Sequence, residues 1–330
     1  MNSRMLLATF LIMKVPKQSR GDLMFANRIR MALFFFILIL ASTFVVVSKT
    51  DAGESVGSNA ANITEIDKLT AFLDEATAYV IDSGKEKALL EFNNSSGRFV
   101  RGDLYIYAYD SNGTNLAHPI SPDLAGRDQR GLVDINGVAT IKNEIALAKD
   151  GGGLMYLVFQ NPLHDDREEL KLTYIKNVDA DLWLGSGIYL SNIPASLGQQ
   201  ERDELVAFVE EAVRFANENG KELALQAFSD PKGNFSRGEL YIFAYDYDGL
   251  TLAHPYQPEL IGKSRINASD PNGIKINQQA VNAVTFGNGF FYYIYPDPFQ
   301  NMTQVLKLGY VADVDGTWYL GSGIYAKRYK

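Results

Sequence analysis

RGDLYIYAYDSNGTNLAHP, residues 101–119, returns as RGELYIFAYDYDGLTLAHP at residues 237–255. The offset is 136 residues. The same offset links His118 to His254, Gly126 to Gly262, Lys171 to Lys307, and the two LGSGIY segments at Leu184 and Leu320. A period this long is not that of a solenoid. It marks two similar domains in tandem, 64–190 and 200–326, joined by a linker at 191–199. With no net insertion between the copies and Pro194 in the linker, each copy is expected to have a core of its own.

Both copies have the same local pattern. Leu69, Phe72, Leu73, Ala76 and Val80 recur at helical spacing, as do Leu205, Phe208, Val209, Ala212 and Ala216, so each copy opens with a long amphipathic helix. Gly84 and Gly220 are plausible stops, and a short second helix follows each. Asn112-Gly113 and Asp248-Gly249 then separate alternating runs and are expected to be hairpin turns. A turn and short helix follow at 134–149 and 270–285. Three strands close each copy, at 154–160, 170–178 and 183–189, and at 290–295, 304–311 and 317–325. Helices followed by antiparallel strands give the α+β class.

The repeated strand has two unlike faces. Alternation puts Leu104, Ile106 and Ala108 on one face, and Arg101, Asp103, Tyr105, Tyr107 and Tyr109 on the other. In copy two the sets are Leu240, Ile242 and Ala244 against Arg237, Glu239, Tyr241, Phe243 and Tyr245. The aliphatic face suits packing on the long helix. The aromatic face suits either a small pocket for a polar ligand or rings packed under loops with their hydroxyls bonded locally.

The whole chain of 330 residues carries a net charge of −8. Seven basic residues against Asp22 give residues 1–49 a charge of +6, which leaves −14 on the remainder. So acidic a body repels phosphate backbones and argues against a nucleic-acid partner. With no cysteine and three histidines, thiolate zinc sites and cysteine nucleophiles are excluded, and no cofactor or metal is expected. Residues 31–47 (MALFFFILILASTFVVV) hold no charge, follow Arg28 and Arg30, and precede Asp51 and Glu54. This is the pattern of a transmembrane anchor or a signal segment, with a cytoplasmic tail at 1–30, a linker at 48–63 and an extracytoplasmic body. Seven N-x-S/T sequons, beginning at Asn62, Asn93, Asn94, Asn112, Asn234, Asn267 and Asn301, agree with export.

The ordered motifs G-[DE]-L-Y-[IV]-[FY]-x-Y-D-x-x-G…L-A-H-P, G-[RK], D-x-N-G, N-P or D-P, K-L-x-Y and G-S-G-I-Y resemble the single Cache domain of type 2, a PAS-like extracytoplasmic sensor. The likeness covers both copies. It implies a long helix on one face of an antiparallel sheet and a small-molecule pocket on the other, with small carboxylates or amino acids as ligands. Carried over residue by residue, it gives as ligand-binding candidates Arg101, Tyr105, Tyr107, His118, Tyr156, Lys171 and Tyr189 in copy one. In copy two they are Arg237, Tyr241, Phe243, His254, Tyr292, Lys307 and Tyr325. Lys171, in an otherwise apolar strand, suits a ligand carboxylate, a solvated edge position or an ion pair with Asp103, and Arg101 shares the last of these options. Trp183 and Trp318 are expected in the core, and Gly185 and Gly187 where two backbones approach closely.

No nucleophile elbow, HExxH, Walker loop or dinucleotide fingerprint is present, so no enzyme activity is expected. Asp179/Asp181 and Asp313/Asp315 are expected to be solvated turn residues. After Tyr325 the sequence continues for five residues, without a second span, coiled coil, methylation region or kinase. The expectation is therefore an extracytoplasmic protein that binds a small anionic ligand and passes signal or ligand to a separate partner. The alternative is a cell-surface structural or adhesion protein that keeps the fold without a working pocket.

Overall fold

The computed structural model describes residues 63–326; the apolar run 31–47 and the tail 1–30 lie outside them. Among the described residues no helix is long and apolar enough to cross a membrane. Copy one begins with α1 (Ile63–Ser83) and α2 (Lys85–Phe92). Gly84, at φ +84°, makes the break between them, a conformation that favours glycine. Strands β1 (Val100–Arg101), β2 (Leu104–Tyr105), β3 (Tyr107–Tyr109) and β4 (Asn115–Ala117) follow, then α3 (Thr140–Lys149). The copy closes with β5 (Gly152–Asn161), β6 (Arg167–Asp179) and β7 (Leu182–Tyr189).

Copy two repeats this order. It runs α4 (Gln199–Asn219), α5 (Lys221–Phe228), β8 (Ser236–Arg237), β9 (Leu240–Tyr241), β10 (Phe243–Asp246) and β11 (Thr251–Ala253). It ends with α6 (Ile276–Val284), β12 (Asn288–Asp297), β13 (Thr303–Asp313) and β14 (Trp318–Tyr325). Each copy holds a five-stranded sheet, ordered β4-β3-β7-β6-β5 and β11-β10-β14-β13-β12, with all neighbours antiparallel. The expected α+β architecture is the observed one.

The two sheet faces carry different layers. Leu69, Phe72, Leu73 and Ala76 of α1 pack with Ile106, Ala108, Leu182 and Leu184 on one face. On the other, Tyr107, Tyr109, Met155, Leu157 and Ile175 pack with Ile141, Leu147 and Ala148 of α3. Each layer is a product of strand alternation, because successive side chains point to opposite faces.

The two copies share a buried boundary. Tyr156, Val158, Leu170 and Leu172 of copy one belong to the same apolar cluster as Leu205, Phe208 and Val209 of α4. Across it runs a reciprocal polar contact. The Tyr292 hydroxyl donates to Asp134 Oδ2 at 2.9 Å and accepts from Asn136 Nδ2 at 2.7 Å. The Tyr156 hydroxyl donates to Asp270 Oδ2 at 3.0 Å and accepts from Asn272 Nδ2 at 2.7 Å. Each copy's D-x-N-G turn thus holds the other copy's tyrosine. The glycine of that turn also faces the partner copy: a Cβ on Gly137, at φ +89°, would meet the Phe290 ring at 3.2 Å. At this face the copies bury apolar residues against each other, while the α1 layer of copy one forms a cluster of its own.

Candidate functional site

In copy one the aromatic face of the sheet and α3 enclose a cavity of about 30 Å3, the room of roughly two water molecules. Tyr105, Tyr107 and Tyr109 enter it from β2 and β3, and His118 from the end of β4. Leu157 and Phe159 come from β5, Lys171 and Thr173 from β6, and Thr140, Ile141 and Glu144 from α3.

Lys171 is the main charged feature of the cavity. It is 1% exposed and makes no ion pair among the described residues. Its ammonium lies 3.9 Å from the centre of the Tyr105 ring and 4.7 Å from that of Tyr189. Such faces attract a cation. Glycines of the GSGIY segment make room for this arrangement. A Cβ on Gly185 would strike the Tyr107 ring at 2.3 Å, and one on Gly187 would meet Lys171 Cε at 2.9 Å as well as the Leu172 carbonyl at 2.7 Å. The expected close approach at these glycines therefore involves cavity side chains as well as backbone.

Glu144 is buried on the same wall. Its Oε1 accepts from the Tyr107 hydroxyl at 2.7 Å, while Oε2 has no hydrogen-bond partner. Burial pushes this carboxyl up to about 7, against the pull of the Tyr107 hydrogen bond and of Lys171. His118 is buried too, and its Nδ1 accepts the Ser121 N–H at 2.9 Å. That bond places the neutral ring's proton on Nε2. Burial, then Lys171, lower the imidazole to about 3, so the ring is neutral at physiological pH.

Copy two has the same frame with different contents. Its cavity is about 20 Å3, lined by Tyr241, Phe243, Tyr245 and His254, with Phe291, Tyr293 and Tyr295 from β12 and Ile276, Asn277 and Ala280 from α6. Lys307 lies beside it, 0% exposed, 3.9 Å from the Tyr241 ring centre, with Nζ donating to the Tyr325 hydroxyl at 3.4 Å. Burial brings its ammonium down to about 7. His254 Nδ1 accepts the Gln257 N–H at 3.1 Å, which fixes the same tautomer as in His118.

Several sequence candidates therefore converge: Tyr105, Tyr107, His118 and Lys171 in copy one, and Tyr241, Phe243 and His254 in copy two, with Tyr189, Lys307 and Tyr325 adjacent. Four do not. Arg101 was placed on the tyrosine face by continuous alternation, but the chain turns at Gly102, φ +68°, and β1 pairs back on β2. Its guanidinium lies over the Phe72 ring of α1 and donates to Glu75 at 2.7 Å, rather than to Asp103. Arg237 does the same with Phe208 and Glu211. Tyr156 and Tyr292 alternate out of their cavities, because Leu157 and Phe159, or Tyr293 and Tyr295, take the inward positions. They serve the boundary between the copies.

Glu144 is the functional candidate that the sequence reading missed. The signal was present: it is spaced three residues from Ile141 and four from Ala148, which places an acid on the apolar face of α3 where copy two has Ala280. Asp179 and Asp181 are exposed in the β6–β7 turn, and Trp183 and Trp318 are buried.

A family model described as Cache domain matches residues 87–330, running through both copies. The sensor histidine kinase MctS of Rhizobium johnstonii is 34% identical over 92 residues, which are 28% of this chain and 20% of the kinase. The chain thus spans about a fifth of the length of that relative. A methyl-accepting chemotaxis protein from Vibrio parahaemolyticus is 30% identical over 38% of this chain and 89% of its own, with a TM-score of 0.34. A Cache chemosensory domain whose structure concerns carboxylic acid recognition is 23% identical over 39% of this chain and 95% of its own, with a TM-score of 0.35.

Proposed function

The chain belongs to the Cache-domain family, and from that premise we propose that it is a non-catalytic sensor whose copy-one cavity binds a small carboxylate or amino acid. The observation that carries this reading is Lys171. A buried charge is normally paired, and this ammonium has rings around it but no ion pair among the described residues. A ligand carboxylate would complete it. His118 adds a fixed Nε2–H donor on the same wall.

On this reading the body lies outside the membrane, held by residues 31–47, and passes the bound state to a separate kinase or chemotaxis partner. The acidic body and the charge pattern around residues 31–47 support that placement. The structural reading, in which the fold persists without a working pocket, suits copy two, where aromatic rings line the smaller cavity and the lysine sits near neutrality.

The test is a thermal-shift screen of the full-length chain against small acids, amino acids and amines. A ligand at 100 times its Kd should add about 2.7 kcal/mol of stability. A carboxylate that raises the Tm of the wild type and leaves Lys171→Ala unmoved supports the reading. No shift from any acid contradicts it.

A further inference from the structure

A further opening lies between the two copies, apart from both aromatic cavities. It is a crevice of about 410 Å3, within the roughly 300–1,000 Å3 of small-molecule sites. Copy one contributes Lys142 and Asn143 of α3, and copy two contributes Phe286, Phe290 and Tyr310. The crevice exists because the boundary is not fully reciprocal. The offset of 136 pairs Asn143 with Gln279, and Phe290 with Leu154. On one side Gln279 Nε2 donates to the Leu154 carbonyl at 3.3 Å and bridges the copies. On the other, Asn143 is one methylene shorter and makes no such bond among the described residues. It is 2% exposed, and its Oδ1 has no hydrogen-bond partner. An unmet buried acceptor is costly, and this one belongs to a residue that lines an opening with room for a ligand.

The walls define what fits. Lys142 Nζ lies 5.3 Å from the centre of the Phe286 ring and makes no ion pair among the described residues. The Phe290 and Tyr310 rings, with centroids 4.7 Å apart, form an aromatic wall that suits a flat ring. Asn143 Oδ1 needs a donor and Lys142 needs an acceptor, so the ligand must present both on one edge. A carboxylate would meet Lys142 but set a second acceptor against Asn143 Oδ1. We propose that this crevice binds a flat heterocycle with a lactam edge, of the oxopyrimidine or oxopurine class. Its ring N–H donates to Asn143 Oδ1, its adjacent carbonyl accepts from Lys142 Nζ, and its faces lie against Phe286, Phe290 and Tyr310. This goes beyond the sensor reading and does not rest on it, because no residue of the crevice lines the copy-one cavity.

The experiment is calorimetric titration of the full-length chain with uracil and hypoxanthine, each beside a form that lacks the lactam donor, 1,3-dimethyluracil and 1-methylhypoxanthine. Benzoate, a flat acid without an N–H, is the control for charge alone. Wild type should bind uracil or hypoxanthine at least about tenfold more tightly than its methylated form or benzoate. Asn143→Gln installs the copy-two residue. It should close the crevice and abolish that binding, while the Tm without ligand is held or raised. Asn143→Ala leaves the crevice open without its acceptor, so it should erase the difference between each base and its methylated form. Failure of both bases to bind the wild type overturns the proposal. So does equal binding of the methylated forms or of benzoate, or an unchanged preference in Asn143→Ala.

Discussion

The two cavities occupy the same place in the same fold, and nine paired lining positions make them different. Copy one has Tyr107, Leu132, Thr140, Ile141, Glu144, Met155, Leu157, Phe159 and Thr173 where copy two has Phe243, Ala268, Ile276, Asn277, Ala280, Phe291, Tyr293, Tyr295 and Gly309. The lysine, the histidine and the first tyrosine do not change. In copy one the substitutions leave a buried acid facing the same space as a buried ammonium. In copy two they bring rings: Phe291 and Tyr293 stack with centroids 4.9 Å apart. The frame is therefore kept while the chemistry inside it diverges, and the polar cavity is the one in which the proposed function places the ligand.

The largest effect expected from this difference is on ligand response. Lys171→Ala should abolish the stabilisation of about 2.7 kcal/mol given by a saturating acid, whereas Lys307→Ala should lower the Tm and leave the ligand-induced increment in place. Thermal melts with and without ligand check this. If the two variants lose the increment equally, the copies are not functionally distinct.

The boundary between the copies is where they should agree. Tyr156→Phe and Tyr292→Phe each remove one hydroxyl from an equivalent Asp–Asn pair. Each should cost roughly 1–3 kcal/mol in chemical denaturation. A large cost for one and none for the other would break the reciprocity seen in the geometry.

Proton linkage separates the copies again. Glu144 is raised from 4.5 to about 7 in the folded chain, so the folded state holds a proton that the unfolded state releases. Its contribution to stability is fully present below about 4.5 and is lost as the pH rises to about 7. Lys307 is lowered from 10.5 to about 7, so the unfolded state holds the extra proton and stability rises with pH from about 7 to about 10.5. Stability measured across pH should lose the first slope in Tyr107→Phe/Glu144→Ala and the second in Lys307→Met. Both slopes persisting in both variants would contradict these assignments.

The smallest effect belongs to the arginines. Arg101 and Arg237 sit in exposed ion pairs, with side chains 48% accessible in each case. Such pairs contribute about 1 kcal/mol or less. Arg101→Ala and Arg237→Ala should each move the Tm slightly and leave ligand titrations unchanged. Loss of binding in Arg101→Ala would return that residue to the site.

Much of this was legible because the sequence states it twice. The constant offset located both copies, and period-two alternation sorted Ile106 and Ala108 to the helix side and Tyr107 and Tyr109 to the cavity side. Alternation failed at Arg101 because a turn at Gly102 interrupts the strand, which a face assignment carried through glycine does not register. Tyr156 and Tyr292 face away from the cavities because period-two alternation gives the inward positions to their neighbours at 157, 159, 293 and 295. Glu144 is not legible from one copy alone, because an acid in a short helix is ordinarily solvated and its burial shows in the sequence only by contrast with Ala280. The reciprocal Asp–Tyr contacts between the copies join residues more than a hundred positions apart, and no local pattern announces them.

The most direct test of the account is a crystal structure of the chain bound to the small acid that stabilises it most. The account predicts density for one ligand in copy one, its carboxylate within hydrogen-bond distance of Lys171 Nζ and beside His118. Density in the copy-two cavity alone, or outside both cavities with Lys171 still enclosed only by its tyrosines, would contradict it.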